Sequence, residues 1–354
     1  MFAILPESSS DLKKEKPRCA IFGQCGGCQF QHIPYAEELR LKEQALKKLF
    51  VESLHSDTAV FEPIVSSPQS YHYRHRIDLR LVRTKKFGVL VGFSAGTNSY
   101  VIETSSCPIA MASVSDFIPE LKKQAILKLT AKHRNANLVV KTGDDGRVFW
   151  GGIGRRSLSM KEEDYLWTVV NGQKIFYSLD TFFQANLSIL PVLIEYLRQL
   201  TIWTPEADFY DLYGGVGLFG LCLYDLVKQV VLIEENIYAV KLAQYNVHYH
   251  ALKNFEILSG QVEGHLAALE RDEGRPAVMM VDPPRQGLSG SVVETLARLN
   301  KLKYLLYLSC SPESLVRDLN VLTADKNWQI AKVVPFDFFP RTQHLETLVL
   351  LKHK

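Results

Sequence analysis

The chain has 354 residues, of which 47% are hydrophobic, and 41 Lys and Arg against 38 Asp and Glu give a net charge of +3. This length predicts two domains, or one large domain with an insertion, and the charge permits a nucleic-acid partner without requiring one. Six cysteines are too few for a disulfide scaffold, no apolar run reaches about 18 residues, and the N-terminus lacks a signal-peptide core, so we expect a cytoplasmic protein without a membrane span.

The first element is a polar tail followed by a cysteine loop, together residues 1–32. The loop reads CAIFGQCGGCQFQH and contains Cys19, Cys25 and Cys28. Where thiols stay reduced, such a cluster indicates metal binding or catalysis. The next stretch, residues 33–56, predicts an amphipathic helix that packs on the catalytic domain. Its apolar positions are Ala36, Leu39, Leu46 and Phe50.

Residues 57–179 predict a central antiparallel β-domain with one helix near residues 116–132. A hairpin is expected to turn at Asp145-Gly146. Cations and aromatics alternate in YHYRHRIDLRLVRTKK, which suits folded RNA, and Arg74 and Arg76 are the candidate RNA contacts. The other interpretation is an ordinary solvated strand pair.

Residues 180–354 alternate short apolar runs with helical segments, which predicts a doubly wound parallel sheet. Two final strands, WQIAKVVPFDFF and HLETLVLLKHK, predict an antiparallel hairpin at the sheet edge. The fold class is therefore α/β: a Rossmann-like domain with an antiparallel last strand, joined to the smaller β-domain.

The glycine turn in DFYDLYGGVGLFG indicates a nucleotide pocket. Gly215, Gly217 and Gly220 fit G-x-G-x-x-G, a pattern that serves both dinucleotides and S-adenosylmethionine. Glu234 ends the next strand, where an acidic side chain binds ribose hydroxyls. Asp282 begins the rigid segment DPPRQGL at the end of a later strand, where ligands bind in such sheets.

Two further side chains stand at strand ends. Cys310 follows an apolar strand and precedes a helix, a position that favours a nucleophilic thiolate, although a small core residue fits equally well. Glu346 begins the last strand, and an exposed strand start is the alternative interpretation.

Six motifs in order resemble the S-adenosylmethionine-dependent RNA uracil-5-methyltransferases, in particular the 23S rRNA branch with an iron-sulfur cluster. They are DTFFQANLSILPVL, DLYGGVGLFG, LIEEN, VDPPRQGL, LSCSPESLVRDL and FPRTQHLETLVLL, and with the cysteine loop the resemblance covers about Cys19 to Leu351.

The resemblance implies a role for each matched residue. Cys310 would be the nucleophile that adds to uracil carbon 6, and Glu346 the base that removes the carbon-5 proton. The cofactor-binding set would be Gln184, Tyr213, Gly215, Gly217, Glu234, Gln261 and Asp282. Phe182 and Asp282 would face the base. The chain departs from the family pattern at Gly214, Leu218 and Ser311.

The resemblance also completes the cysteine set. Cys107, followed by proline, would be the fourth ligand beside Cys19, Cys25 and Cys28. Four thiolates hold either a 4Fe-4S cluster or zinc, and the family spacing favours the cluster. Because methyl transfer needs no redox step, we expect this site to organise the protein or position RNA.

The expected partner is structured RNA, 23S rRNA first and tRNA as the alternative. The chain is expected to lack the N-terminal oligonucleotide-binding barrel of many relatives and to act as a monomer without a protein partner. An NAD-dependent oxidoreductase would explain the glycines but not Asp282, Cys310 and Glu346 together. A non-catalytic RNA-binding protein is the third hypothesis.

Overall fold

A computed structural model describes residues 14–54, 60–95, 100–129, 134–152, 158–271, 276–299 and 302–354. The predicted tail therefore lies largely outside the described residues. The helices are α1 (Tyr35–Leu54), α2 (Ala112–Asp116), α3 (Ile118–Lys128), α4 (Leu190–Arg198), α5 (Leu218–Leu223), α6 (Ile237–Tyr249), α7 (Val262–Arg271), α8 (Gly290–Arg298) and α9 (Pro312–Leu322). Within these ranges no helix is long and apolar enough to cross a membrane.

The strands form three sheets. They are β1 (Arg76–Thr84), β2 (Gly88–Ser94), β3 (Val101–Glu103), β4 (Asn135–Thr142), β5 (Val148–Gly152), β6 (Leu166–Val170), β7 (Gln173–Tyr177), β8 (Asp208–Leu212), β9 (Gln229–Glu234), β10 (Phe255–Ser259), β11 (Ala277–Val281), β12 (Leu302–Ser309), β13 (Trp328–Phe336) and β14 (Glu346–His353).

The largest sheet has seven strands in the order β10-β9-β8-β11-β12-β14-β13. Strands β8 to β12 pair in parallel, and β14 runs antiparallel to both of its neighbours. Apolar cores cover both faces, and helices pack on each. The predicted Rossmann-like, mostly parallel sheet with an antiparallel last strand is confirmed.

The last two strands form the predicted antiparallel hairpin at the sheet edge. Within it β13 is the edge strand, and β14 lies between β12 and β13. Its first six residues are all buried, whereas β13 alternates buried with exposed residues over its first half. A run of buried apolar residues belongs inside a sheet, and an alternating one suits the edge.

The central sheet has five antiparallel strands in the order β3-β2-β1-β4-β5. Ile77, Leu79 and Leu81 point from β1 into a core that includes residues of α3. The predicted hairpin is present as β4 and β5, and Gly146 in its turn has a φ of 73°. The opposite face of β1 carries Arg76 and Asp78.

A second hairpin, β6–β7, belongs by packing to the larger domain. Leu166, Ile175 and Tyr177 are buried in the core shared with β8 and α4. The sequence placed this hairpin in the central domain of residues 57–179. The strand pattern predicted the β-structure, but which core a short hairpin enters depends on tertiary packing.

Helix α1 contacts α9, and its buried face differs from the prediction. Leu46 and Phe50 are buried as expected, but Ala36 is exposed. The charged residues Glu38 and Lys42 are buried instead. The Lys42 ammonium lies 2.7 Å from a Glu38 carboxylate oxygen and 2.8 Å from an oxygen of Asp337. A long-range ion pair of this kind leaves no signal in helical periodicity.

Candidate active site

A cleft of about 930 Å³ opens at the carboxyl edge of the parallel strands. Such an edge is where doubly wound sheets bind ligands. One wall comes from the central domain through β1, and the other walls come from the loops after β8, β9, β10, β11 and β12. The lining includes the predicted residues Arg74, Arg76, Phe182, Gln184, Tyr213, Glu234, Gln261, Asp282, Cys310 and Glu346.

The glycine turn shapes one end of the cleft without lining it. Gly217 has a φ of 94° at the start of α5, and a Cβ on Gly214 would lie 2.6 Å from the Leu232 side chain. The Gly215 N–H donates to a Glu234 carboxylate oxygen at 2.9 Å. The other carboxylate oxygen accepts from the Asn236 N–H at 2.7 Å. Gly215 and Gly217 shape the backbone beside Glu234, which lines the cleft.

The segment after β11 is fixed by α9. Ser314 Oγ donates to the Arg285 carbonyl at 2.7 Å, and the Leu288 N–H donates to Asp318 at 2.8 Å. Gly287 has a φ of 77°, and a Cβ there would lie 2.6 Å from side-chain atoms of Arg317 and Asp318. This packing explains the glycine and presents Asp282 and Arg285 to the cleft.

Asp282 is connected to the loop before α4. Its carboxylate accepts a hydrogen bond from Gln184 Nε2 at 2.8 Å. Burial raises the pKa of Asp282 to about 7, and the Gln184 hydrogen bond opposes that rise. Asp282 can therefore gain or lose a proton near neutral pH.

Cys310 and Glu346 line the same cleft because β14 is antiparallel to β12. Ser309 pairs with Thr347, so the same register places Cys310 opposite Glu346. Burial, with the carboxylates of Glu346 and Asp282, raises the pKa of the Cys310 thiol to about 12, while Arg285 opposes that rise.

Glu346 is a buried carboxyl group inside the cleft. The residue is 4% exposed, and its Oε2 has no hydrogen-bond partner among the residues that the structure describes. Burial, and then the charge of Asp282, raises its pKa well above the ordinary value, while Arg285 acts in the opposite direction. A carboxylate with a raised pKa is a strong base once it is ionised.

The entrance of the cleft carries an aromatic ring and cations. Phe182 is 64% exposed, and such an exposed ring is available for stacking. Arg74 and Arg76 lie on the opposing wall, and Arg76 forms an ion pair with Asp78 at 2.8 Å.

Lys141, which the sequence analysis missed, supports the loop that carries Phe182. Its side chain is fully buried, and its ammonium donates to the carbonyls of Ser178 and Thr181. Burial, followed by the charge of Arg76, lowers its pKa to about 7. A lone lysine in a β-strand gives no sequence signal for this role, because its partners come from a distant loop.

His344 and Phe339 also line the cleft and were not selected from the sequence as site residues. Burial and the cations Arg285, Arg74 and Lys42 lower the pKa of His344 to about 4, so the imidazole is neutral at pH 7. Both residues lie in FPRTQHLE, where their proximity to Glu346 was the available signal.

The four predicted cysteine ligands surround a second cavity, of about 160 Å³. Arg74 and Asp78 line both this cavity and the cleft, so the two are neighbours. Burial raises the pKa of Cys28 to about 12, and the neighbouring cysteines add to the effect. Among the described residues, no three His, Cys, Asp or Glu side chains form a ready metal-binding group. The thiols lie around a space larger than one ion, and four thiols are the donor set that iron-sulfur clusters and zinc use.

Comparison with known proteins defines the class. The fold is similar to that of the Pyrococcus abyssi tRNA (uracil-54, C5)-methyltransferase, solved with S-adenosyl-L-homocysteine, with a TM-score of 0.69 and 23% identity over 93% of this chain and 86% of that one. The fold is that of the S-adenosylmethionine-dependent methyltransferases.

The sequence comparisons define the family. Residues 155–354 match the model of the tRNA (uracil-5-)-methyltransferase family, and the chain belongs to that family. RNA methyltransferases of Thermosynechococcus vestitus and Thermotoga maritima, both described as uncharacterized, are each 27% identical to it. The two matches cover 96% and 99% of this chain, and 84% and 87% of the respective relatives. The chain is thus an RNA methyltransferase whose methyl donor is S-adenosylmethionine.

Proposed function

We propose that the chain methylates carbon 5 of a uridine in structured RNA through a covalent bond between Cys310 and carbon 6. The observation that carries this mechanism is the β12–β14 register, which sets a thiol opposite a buried carboxyl group in the cleft. Family membership supports the reaction class, and the register supports Cys310 as the nucleophile and Glu346 as the base.

The residues would act in sequence. S-adenosylmethionine supplies an electrophilic methyl group on a sulfonium. The Cys310 thiolate adds to carbon 6, and the electron pair of the C5–C6 double bond moves into the ring as an enolate. Carbon 5 then takes the methyl group, and the carbon–sulfonium bond breaks. The Glu346 carboxylate removes the carbon-5 proton, the C5–C6 double bond reforms and the thiolate leaves.

Other residues would bind and orient the reactants. Glu234, held by two backbone N–H groups, would accept hydrogen bonds from ribose hydroxyls, and Tyr213 and Gln261 line the same cleft. Asp282 and Phe182 would contact the target base. Because a stacked uridine cannot reach this cleft, the base must be flipped out of its helix.

Methyl transfer to total RNA from labelled S-adenosylmethionine tests the reaction. Wild type should label RNA, and Cys310→Ala should not. Cys222→Ala is the matched control, because Cys222 is buried in the core away from the cleft. Glu346→Gln should accumulate an RNA–protein adduct that survives denaturation. Equal labelling by wild type and Cys310→Ala would refute the covalent mechanism.

For the substrate we propose 23S rRNA, supported by the cysteine pattern of the 23S rRNA branch. tRNA is the second candidate, because the matching family model is described for tRNA and the similar solved enzyme modifies tRNA. Size-fractionated RNA, followed by mass-spectrometric mapping of 5-methyluridine, separates them. Label confined to the tRNA fraction would overturn the rRNA assignment.

The central domain is proposed to hold the RNA beside the cleft, with Arg74 and Arg76 as phosphate contacts. They are supported by their place in the lining of the cleft that Phe182 also lines. Arg76→Ala should weaken RNA binding and reduce its salt dependence. Unchanged RNA affinity and salt dependence in Arg76→Ala would contradict this contact.

The cysteine cavity is proposed to hold a 4Fe-4S cluster on Cys19, Cys25, Cys28 and Cys107. A cavity of about 160 Å³ exceeds the roughly 30 Å³ that one water occupies in the liquid, so it has room for more than a single ion. The group would join the N-terminal loop to the central domain. Anaerobic purification should yield a coloured protein with iron and sulfide, and a colourless protein with one zinc would overturn the proposal.

A further inference from the structure

The loop between β13 and β14, residues 337–345, enters the active cleft. Phe339 and His344 line the cleft, and Glu346 begins β14 immediately after the loop. Arg341 lies in this loop with a φ of 69°, in the left-handed region that non-glycine residues rarely adopt. A strained backbone persists only where neighbouring groups hold it, and such positions cluster at functional sites.

The cysteine loop makes some of the contacts that keep Arg341 in this conformation. The N–H groups of Gln29 and Phe30 both donate to the Arg341 carbonyl, at 2.9 and 3.0 Å. The Gln29 side-chain oxygen accepts from the Gln343 N–H at 3.1 Å. Its side-chain nitrogen donates to the Gly26 carbonyl at 3.0 Å. One amide therefore joins the Cys25–Cys28 turn to the residue before His344.

Helix α1 and the segment before it hold the other side of Arg341. The Arg341 N–H donates to Glu38 Oε1 at 2.7 Å, and its guanidinium donates to the Ile33 carbonyl at 2.9 Å. The same guanidinium lies 4.8 Å from the centre of the Tyr71 ring. These contacts fix Arg341. The Gln29 side chain of the cysteine loop reaches past Arg341 and binds Gln343.

From these contacts we infer that Gln29 is a positioning residue for methyl transfer. Its side chain ties the cysteine loop to Gln343 and so sets the path of the chain into Glu346. The inference rests on the proposed function in one respect, the role of Glu346 as base. It predicts that the cysteine loop affects turnover by placing the β13–β14 loop, without contacting either substrate.

Three variants test the inference. Gln29→Ala removes the acceptor for the Gln343 N–H. Gln29→Glu keeps that acceptor but replaces the donor to the Gly26 carbonyl with a negatively charged oxygen. Gln24→Ala is the matched control, because Gln24 is an exposed glutamine of the same loop.

The readouts are kcat, KM for RNA, S-adenosylmethionine affinity and amide hydrogen exchange. Misplacing a catalytic group by about 1 Å can cost up to about 100-fold in rate, so Gln29→Ala should lower kcat by about tenfold or more. Cofactor affinity and KM should change less than twofold. Exchange at Gln343 should accelerate. Gln29→Glu should return kcat to within about threefold of wild type, and Gln24→Ala should match wild type.

Four outcomes would overturn the inference: wild-type kcat in Gln29→Ala, unchanged exchange at Gln343, equal losses in kcat and cofactor affinity, or no rescue by Gln29→Glu. Failure of the proposed function is distinguishable, because it would appear as inactive wild-type protein. Exchange at Gln343 would still report whether Gln29 holds the loop.

Discussion

The reactivity of the Cys310 thiol should reveal how strongly the cleft suppresses its ionisation before substrate binds. Burial, together with the carboxylates of Glu346 and Asp282, raises its pKa from the ordinary 9 to about 12. A shift of about three units leaves roughly a thousandfold less thiolate at pH 7 to 8 than an ordinary cysteine has. Alkylation by iodoacetamide requires the thiolate, so the free enzyme should react slowly at this position.

The shape of the pH profile is the sharper measurement. Because Cys310 remains protonated through the accessible range, its alkylation rate should rise about tenfold per pH unit up to about pH 10 without levelling off. An ordinary thiol would level off near its pKa of 9. Mass spectrometry of the Cys310 peptide separates its labelling from that of other cysteines, and Cys310→Ser provides the blank.

Two substitutions of Arg285, one that removes its charge and one that keeps it, identify the source of the shift in the pKa of Cys310. Arg285 opposes the rise in the pKa of Cys310, so Arg285→Ala should slow alkylation further while Arg285→Lys changes it less. A rate that levels off between pH 8 and 9 in wild type would refute the reasoning, because the thiol would then be neither desolvated nor facing negative charge.

Three further predictions concern stability and cofactor binding. Lys42→Met should destabilise the protein by about 3–5 kcal/mol in urea titrations, because it leaves two buried carboxylates without their cation, and a loss below 1 kcal/mol would contradict it. Lys141 has a pKa of about 7, below its ordinary 10.5, so between these values the unfolded chain binds a proton that the folded chain lacks. Above pH 7 the free energy of unfolding of wild type should therefore rise by up to about 1.4 kcal/mol per pH unit relative to that of Lys141→Met. A difference between the two proteins that does not change with pH would be the contrary result. Glu234→Ala should weaken S-adenosylmethionine binding about 10- to 100-fold by calorimetry, whereas the exposed Glu256→Ala should not; equal affinities would remove Glu234 from the site.

Local apolar patterns in the sequence predicted the parallel strands of the large sheet. Short apolar runs located β8, β9, β10, β11 and β12, and the inner strands β8 and β11 are buried along their whole length. The carboxyl-edge rule then placed the residues after these strands in one cleft. The position of β14 was not predictable in this way, because strand order inside a sheet depends on packing and not on chain order.

The unpredicted site features are long-range polar contacts. Lys42 reaches Asp337 across 295 positions, and Gln343 reaches Gln29 across 314. Hydrophobic periodicity carries no information about such pairs, and Lys42 stood on what read as the charged face of its helix. A buried charge costs more to desolvate than periodicity suggests, and it is tolerated because a partner arrives from the other end of the chain.

The antiparallel strand β14 explains how the proposed nucleophile and base come together. In a parallel sheet, only residues that follow a strand reach the carboxyl edge, so residues that begin a strand lie at the opposite edge. Reversing β14 brings its first residue, Glu346, to the edge where β12 ends at Ser309 and Cys310 follows. A register slip of one residue would turn Glu346 to the other face of the sheet. Because β14 pairs with strands on both sides and its loop is held by Gln29 and Glu38, the fold fixes this register twice.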